Sequence, residues 1–112
     1  MDAVGRHAAL FNQGVRTGDF GAWLATFDPD AELTFEGLPI PPAVGRDAIT
    51  AVYAGHPPSS PMRVVEARAD GGRFVWVAAP RTGGEFRFEL RDGLLTRLAV
   101  RLDAPPPPPR GI

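Results

Sequence analysis

The chain has 112 residues, 44% of them hydrophobic and 22% charged, with 12 basic against 13 acidic side chains and a net charge of −1. That length holds one hydrophobic core. The near-neutral balance gives no electrostatic case for nucleic acid, and no apolar run approaches a membrane span or a secretory leader. The expectation is a single cytoplasmic globular domain with neither a nucleic-acid nor a membrane partner.

Along the chain, Asp2 is placed to cap a first helix running to about Arg16. Val4, Ala8, Phe11 and Val15 recur there at helical spacing. Asp19 is a second N-cap candidate, and Phe20, Trp23, Leu24 and Phe27 make the stripe of a short second helix. That helix is expected to stop at Asp28, because Pro29 disfavours helical geometry before it. Residues 31–36 alternate: Leu33 and Phe35 to one side, Glu32, Thr34 and Glu36 to the other, which is strand periodicity. Residues 37–45 hold three prolines and read as a loop or short edge strand. A third helix follows over 46–54, with Asp47 in its first turn, Gly55 just past its end, and Ile49, Val52 and Tyr53 on its apolar side.

The second half reads as a meander of strands at 62–69, 73–79, 85–91 and 94–102. The expected turns are Asp70-Gly71-Gly72, Thr82-Gly83-Gly84 and Asp92-Gly93. Helices first and hairpins later argue an α+β fold. Phe86, Phe88 and Leu90 should face the helices, with Glu85, Arg87 and Glu89 facing water. Leu98, Val100 and Leu102 oppose Arg97, Ala99 and Arg101 in the same way. The strand at 73–79 is apolar on both sides, Phe74, Trp76 and Ala78 against Val75, Val77 and Ala79. Its outer face therefore needs a cover, which implies a homodimer. Residues 104–112 form a Pro-rich tail, expected to be extended and exposed.

Absences narrow the chemistry. The chain has no cysteine and no lysine, so disulfides, thiolate nucleophiles and Schiff-base amines are excluded. Arg in place of every Lys, with 13 Gly and 13 Pro, matches the codon bias of a GC-rich, actinobacterial genome. The only serines, Ser59 and Ser60, lie between prolines, a poor setting for a nucleophile. His7 and His56 show no metal-ligand spacing, so neither a metal nor another cofactor is expected.

Three runs carry a resemblance: Phe11-Asn12-Gln13-Gly14, Thr17-Gly18-Asp19-Phe20 and Phe27-Asp28-Pro29-Asp30-Ala31. With Gly45-Arg46-Asp47-Ala48-Ile49 and Arg91-Asp92-Gly93, they resemble the nuclear transport factor 2-like superfamily over residues 1–103. The nearest branches are the SnoaL-like polyketide cyclases and the ketosteroid-isomerase-like proteins. The resemblance implies a cone-shaped α-α-β-(β)-α-β-β-β-β fold, with a curved, mostly antiparallel sheet wrapped around a long N-terminal helix. It also implies an apolar pocket and frequent dimerisation. Members of the superfamily include isomerases, cyclases, dehydratases and hydrolases as well as pure binding proteins, so the fold alone assigns no chemistry.

The steroid isomerases of this superfamily use a tyrosine and two aspartates. The matching positions here are Phe11, Phe35 and Phe86. Without donors at a developing enolate oxygen, that mechanism is disfavoured. The remaining candidates are Glu36, His56 and Tyr53. Glu36 is either a base raised by an apolar pocket or a solvent-face residue beside Glu32 and Thr34. His56 lies at the rim, or only closes the third helix. Tyr53 aims its hydroxyl at a ligand, or is core with its hydroxyl at the edge. His7, Phe11, Phe35, Trp76, Phe86 and Phe88 are expected to line the pocket, while Trp23 reads as core. The functional expectation is a hydrophobic small molecule, held or converted by cofactor-free acid–base chemistry. The alternatives are a non-catalytic binding module and a scaffold whose cavity its own side chains fill.

Overall fold

In the computed structural model, which describes residues 2–103, the Asp2 side chain accepts from the Gly5 N–H (2.7 Å) and starts α1 (Ala3–Thr17). Gly18 ends the helix in the left-handed conformation, its N–H donating to the Gly14 carbonyl. The Asp19 carboxylate accepts from the Gly21 N–H (2.8 Å), but it stands two residues ahead of α2 (Gly21–Leu24), whose N-cap position is Phe20 and not Asp19. This helix is shorter than its apolar stripe suggests. Phe27 already belongs to β1 (Phe27–Glu36), because it pairs with Leu95 and stands just before the Pro29 region, where extended backbone is favoured. The Arg46 guanidinium donates to the Phe27 carbonyl through both Nε and a terminal nitrogen, tying α3 (Arg46–Gly55) to β1. Gly55 lies within α3 and not past it. The closing position is His56, whose N–H donates to the Val52 carbonyl (2.9 Å).

The 37–45 segment does make an edge strand, β2 (Ala43–Val44). The other strands are β3 (Met62–Arg68), β4 (Gly71–Trp76), β5 (Ala79–Arg91) and β6 (Leu94–Leu102). They form one six-stranded sheet in the order β2-β1-β6-β5-β4-β3. β1 and β6 run parallel, and the other pairs antiparallel. The sheet is curved and unclosed, so the α+β nuclear transport factor 2-like architecture holds. Register shifts at Val64/Glu66, Val75/Trp76 and Glu89/Leu90 supply the bends that let a sheet curl. α1 lies against the concave side. The Asn12 side-chain amide donates to the Met62 carbonyl and accepts from the Met62 N–H, both at 2.8 Å, and so extends the ladder from helix to β3.

Two turns differ from expectation. Thr82-Gly83-Gly84 is not a turn but part of β5, and the chain reverses at Val77-Ala78. Gly71 and Gly72 likewise fall inside β4, after a turn at Ala69-Asp70. These glycines serve close strand approach. A Cβ on Gly83 would stand 2.0 Å from the Phe74 carbonyl oxygen, and one on Gly84 2.2 Å from that of Arg101. Asp92-Gly93 is a turn, with both residues at positive φ, as a tight hairpin requires. Moving the β4–β5 turn also moves the apolar outer surface. Only Val75 of the expected trio stays in β4, while Val77 in the turn and Val65 in β3 are exposed. Leu90 is 47% exposed instead of inward, because the shift after Glu89 rotates the end of β5. The polyproline run of the tail lies outside the described residues.

Gly83→Ala should therefore destabilise the fold by roughly 1–3 kcal/mol, the scale of forcing an extra carbon into a packed site. Gly55→Ala, with nothing within 4 Å and no positive φ, should stabilise it by about 0.4–1 kcal/mol through the unfolded chain. Urea unfolding followed by far-ultraviolet circular dichroism measures both.

Candidate functional site

A cavity of about 380 Å³ lies between the concave sheet face and the helices. The sheet side of its wall is Phe35 from β1, Met62 from β3, Phe74 and Trp76 from β4, Phe86 from β5, and Leu98, Val100 and Leu102 from β6. Strand alternation puts Leu98, Val100 and Leu102 on one face, so this part of the wall was readable before the structure. The helix side is His7 and Phe11 from α1, Trp23 from α2, and Val52 and Tyr53 from α3. Ile40, His56 and Pro58 complete the lining. Ile40 is 44% exposed and His56 is exposed, which marks their side as the mouth.

Phe11, Phe35 and Phe86, the positions matched above by resemblance to the polar groups of steroid isomerases, all line this space. The α1 and β5 rings are almost wholly buried, while Phe35 is half-buried. The catalytic trio expected from sequence does not assemble. Tyr53 and His56 line the cavity, whereas Glu36 does not. Glu36 stands on the outer face of the sheet, its side chain 42% exposed and paired with Arg87 at 3.3 Å. Phe35 takes the inward position, and period-2 geometry sends its neighbour outward. Phe88 is also corrected. It is buried and packs beside His7 (ring centroids 5.9 Å apart), but it lines a small cleft behind that histidine and not the main cavity. The buried Ser60 is structural: its hydroxyl accepts from the Ala78 N–H and donates to the Pro61 carbonyl, both at 3.0 Å.

Trp23 is the wall residue that its helical spacing disguised as plain core. It is 1% exposed and lines the cavity. Its ring centroid lies 4.7 Å from that of Tyr53, 4.8 Å from Phe27 and 5.7 Å from His7. Its indole Nε1 and the Nδ1 of His7 are both buried with no hydrogen-bond partner among the described residues. Only a tally of partners in three dimensions could reveal such atoms.

His7 is 5% exposed, stacked on Phe86 at 5.2 Å and flanked by Trp23 and Phe88. Burial pushes its pKa down to about 4, so the imidazole is neutral at neutral pH. Burial pushes the Tyr53 phenol well above the ordinary tyrosine range, so it stays protonated. Among the described residues no group of three His, Asp or Glu side chains is placed to hold a metal ion, and no helix is long and apolar enough to cross a membrane.

A profile of the SnoaL-like domain matches residues 7–98. No curated protein sequence matches the chain. Solved structures resemble it closely in shape and distantly in sequence. An NTF-2-like protein of unknown function from Burkholderia xenovorans LB400 superposes with a TM-score of 0.69 at 18% identity, covering 95% of this chain and 87% of its own. A computationally designed 17-OHP binder gives 0.68 at 14% identity, covering 93% of each chain. A Mycobacterium tuberculosis protein solved in complex with estradiol-17beta-hemisuccinate gives 0.64 at 15% identity, covering 89% of this chain and 93% of its own.

The buried histidine predicts an acid-sensitive fold. A histidine whose folded pKa lies below its unfolded value gives its full stability above about 6.5 and loses it as the pH falls toward about 4. Across that window the loss should reach roughly 3 kcal/mol. The hollows on both sides of His7 carry no carboxylate, and the ionisable residues among their lining besides His7 and Tyr53 are Arg6 and, at the mouth, His56. His7→Leu should flatten the profile between those two pH values, as read by urea unfolding at each pH. An unchanged slope in the variant would assign the acid sensitivity elsewhere.

Proposed function

The chain belongs to the SnoaL-like domain family, and on that premise we propose that it binds a flat, hydrophobic small molecule inside the cone. The observation that carries this reading is the cavity of about 380 Å³, walled by aromatic and aliphatic side chains, with no carboxylate or guanidinium among its lining residues. Such a volume falls within the range of small-molecule sites. The reading draws support from two structures of the same shape, one named as a binder of a small molecule and one holding an estradiol derivative.

Binding is favoured over turnover by the state of the polar groups. Glu36 is turned to the outer face. A histidine with a pKa near 4 is a feeble base at neutral pH, and a phenol with a raised pKa is a feeble acid. Cofactor-free isomerase- or cyclase-type chemistry stands as the second reading, because His56 and Tyr53 share the cavity wall. In that case His56→Gln removes turnover while ligand affinity persists.

Both tryptophans of the chain, Trp23 and Trp76, line the cavity, so intrinsic fluorescence reports its occupancy directly. A steroid such as progesterone should shift the emission saturably. It should also stabilise the fold by about 2.7 kcal/mol when present at one hundred times its Kd. Val100→Phe, which places a ring in the cavity, should abolish the shift while the protein still unfolds cooperatively. No response from any of a panel of apolar polycyclic compounds at their solubility limits would refute the binding reading.

A further inference from the structure

A second cleft, of about 400 Å³, opens at the end of the sheet where β4 turns into β5. Its walls are Pro57, Pro58 and Ser59, from the segment between α3 and β3, and Trp76, Ala78 and Ala79. Two hydrogen bonds hold these walls together. The Ala78 N–H donates to the Ser60 hydroxyl (3.0 Å), and the Val77 N–H donates to the Pro61 carbonyl (2.9 Å). The cleft is therefore preformed, and no charged side chain lines it. Trp76 and Pro58, both half-buried, line the large cavity as well, so the cleft adjoins its mouth.

β6 delivers the chain to this place. It runs antiparallel to β5, from Leu94 opposite Arg91 to Leu102 opposite Gly84, and so heads for the end of the sheet that holds the β4–β5 turn. The Asp103 N–H donates to the Gly83 carbonyl (2.8 Å) and its carboxylate pairs with Arg73 (3.2 Å), which fixes the point of departure. Gly83 stands opposite Val75, and the next pair toward the turn is Trp76 with Ala79. Trp76 thus lies two strands across from Asp103, about 10 Å at the usual strand spacing.

Residues 105–109 are five consecutive prolines. Such a run favours the polyproline II helix, at about 3.1 Å per residue, so five span roughly 15 Å. With Ala104 as the link, that is long enough to reach the cleft and enter it. A proline run has carbonyl acceptors and no N–H, so it must find donors outside itself. The cleft supplies an indole ring with its N–H at Trp76, a hydroxyl on the exposed Ser59, and the flat rings of Pro57 and Pro58. Aromatic-lined grooves of this composition are what polyproline II segments dock in.

We propose that the Pro105–Pro109 run docks in this cleft of its own chain, packed on the Trp76 ring. The docking stands whether or not the large cavity holds a ligand, and it sets the tail beside the cavity mouth. Because the run is tethered a few residues away, its effective concentration at the cleft is about millimolar, so modest contacts suffice.

The side-chain N–H signals of the two tryptophans, in nuclear magnetic resonance spectra of the isotope-labelled full chain, test the proposal. The signal that Trp76→Phe deletes is the reporter. Exchanging all five prolines, Pro105→Ser through Pro109→Ser, leaves every core residue in place. It should shift the Trp76 signal and leave that of Trp23, which is 1% exposed, where it was. In Ala78→Arg, which obstructs the cleft while the tail is intact, the same exchange should shift neither. A free peptide of residues 104–112, added to the serine-tailed chain at about millimolar concentration, should restore the native position. A Trp76 signal blind to the serine exchange overturns the proposal, as does an equal shift in the Ala78→Arg background. The native position should also hold on dilution. A position that moves with protein concentration assigns the cleft to the tail of a second copy and overturns docking within one chain.

Discussion

The Trp23 indole is packed among α1, α3 and β1, edge-on to Phe27 at 4.8 Å and to Phe11 at 5.9 Å, and tilted against Tyr53 at 4.7 Å. Aromatic pairs prefer such tilted and edge-to-face arrangements, and each is worth about 0.5–1.5 kcal/mol beyond the area it buries. The consequence is geometric. The helices satisfy their apolar faces on one another and on the first strand, through Trp23, and need not collapse onto the rest of the sheet. Arg46 on the Phe27 carbonyl and Asn12 on Met62 fix the same frame from its two ends. With the helices held off, the concave face of β4, β5 and β6 retains open space in front of it.

The outer face of the sheet obeys a different rule. Arg73, Glu85 and Arg101 form a cross-strand chain of contacts at 3.0 and 2.9 Å, and Glu36 meets Arg87 at 3.3 Å. The Arg73 hydrogen bond holds the Glu85 carboxyl below its usual range. Exposed pairs of this kind add little stability, but they separate the charges of the chain from its cavity completely. Alternation along the strands places Glu85, Arg87 and Glu89 of β5 and Arg97 and Arg101 of β6 on the face away from the helices. The same alternation that makes the pocket greasy therefore removes Glu36 from it.

Most of the fold could be read from period alone. The stripe Val4, Ala8 and Phe11 announced α1, and Leu33 and Phe35 against Glu32 and Thr34 announced β1 with its faces. Where reading failed, one residue type had two physical uses. Gly83 and Gly84 look like turn chemistry, yet they allow two carbonyls to approach within van der Waals contact inside β5. Phe27 fits a helical stripe, but pairing with Leu95 captures it for a strand. The candidate site was harder. The aromatic wall at Phe11, Phe35 and Phe86 could be placed through the resemblance to steroid isomerases, whereas Trp23 and Tyr53 meet only because α2 and α3 converge. No spacing rule joins residues thirty positions apart on two helices.

The unpaired nitrogens of His7 and Trp23 are the places where the chain departs from its own consistency. Elsewhere local preference, packing and hydrogen bonding agree: Asp2 caps, Asn12 bridges and Ser60 is doubly bonded. A buried polar atom without a partner costs about 1–3 kcal/mol, and an apolar side chain of similar shape would avoid that cost. Such departures concentrate at functional sites, where stability is traded for recognition. Both atoms belong to residues lining the same cavity, and both lie on its helix side. Both nitrogens are nevertheless sealed from the cavity by the atoms around them, so the wall that a guest would meet is the surface of the rings and not these two polar atoms.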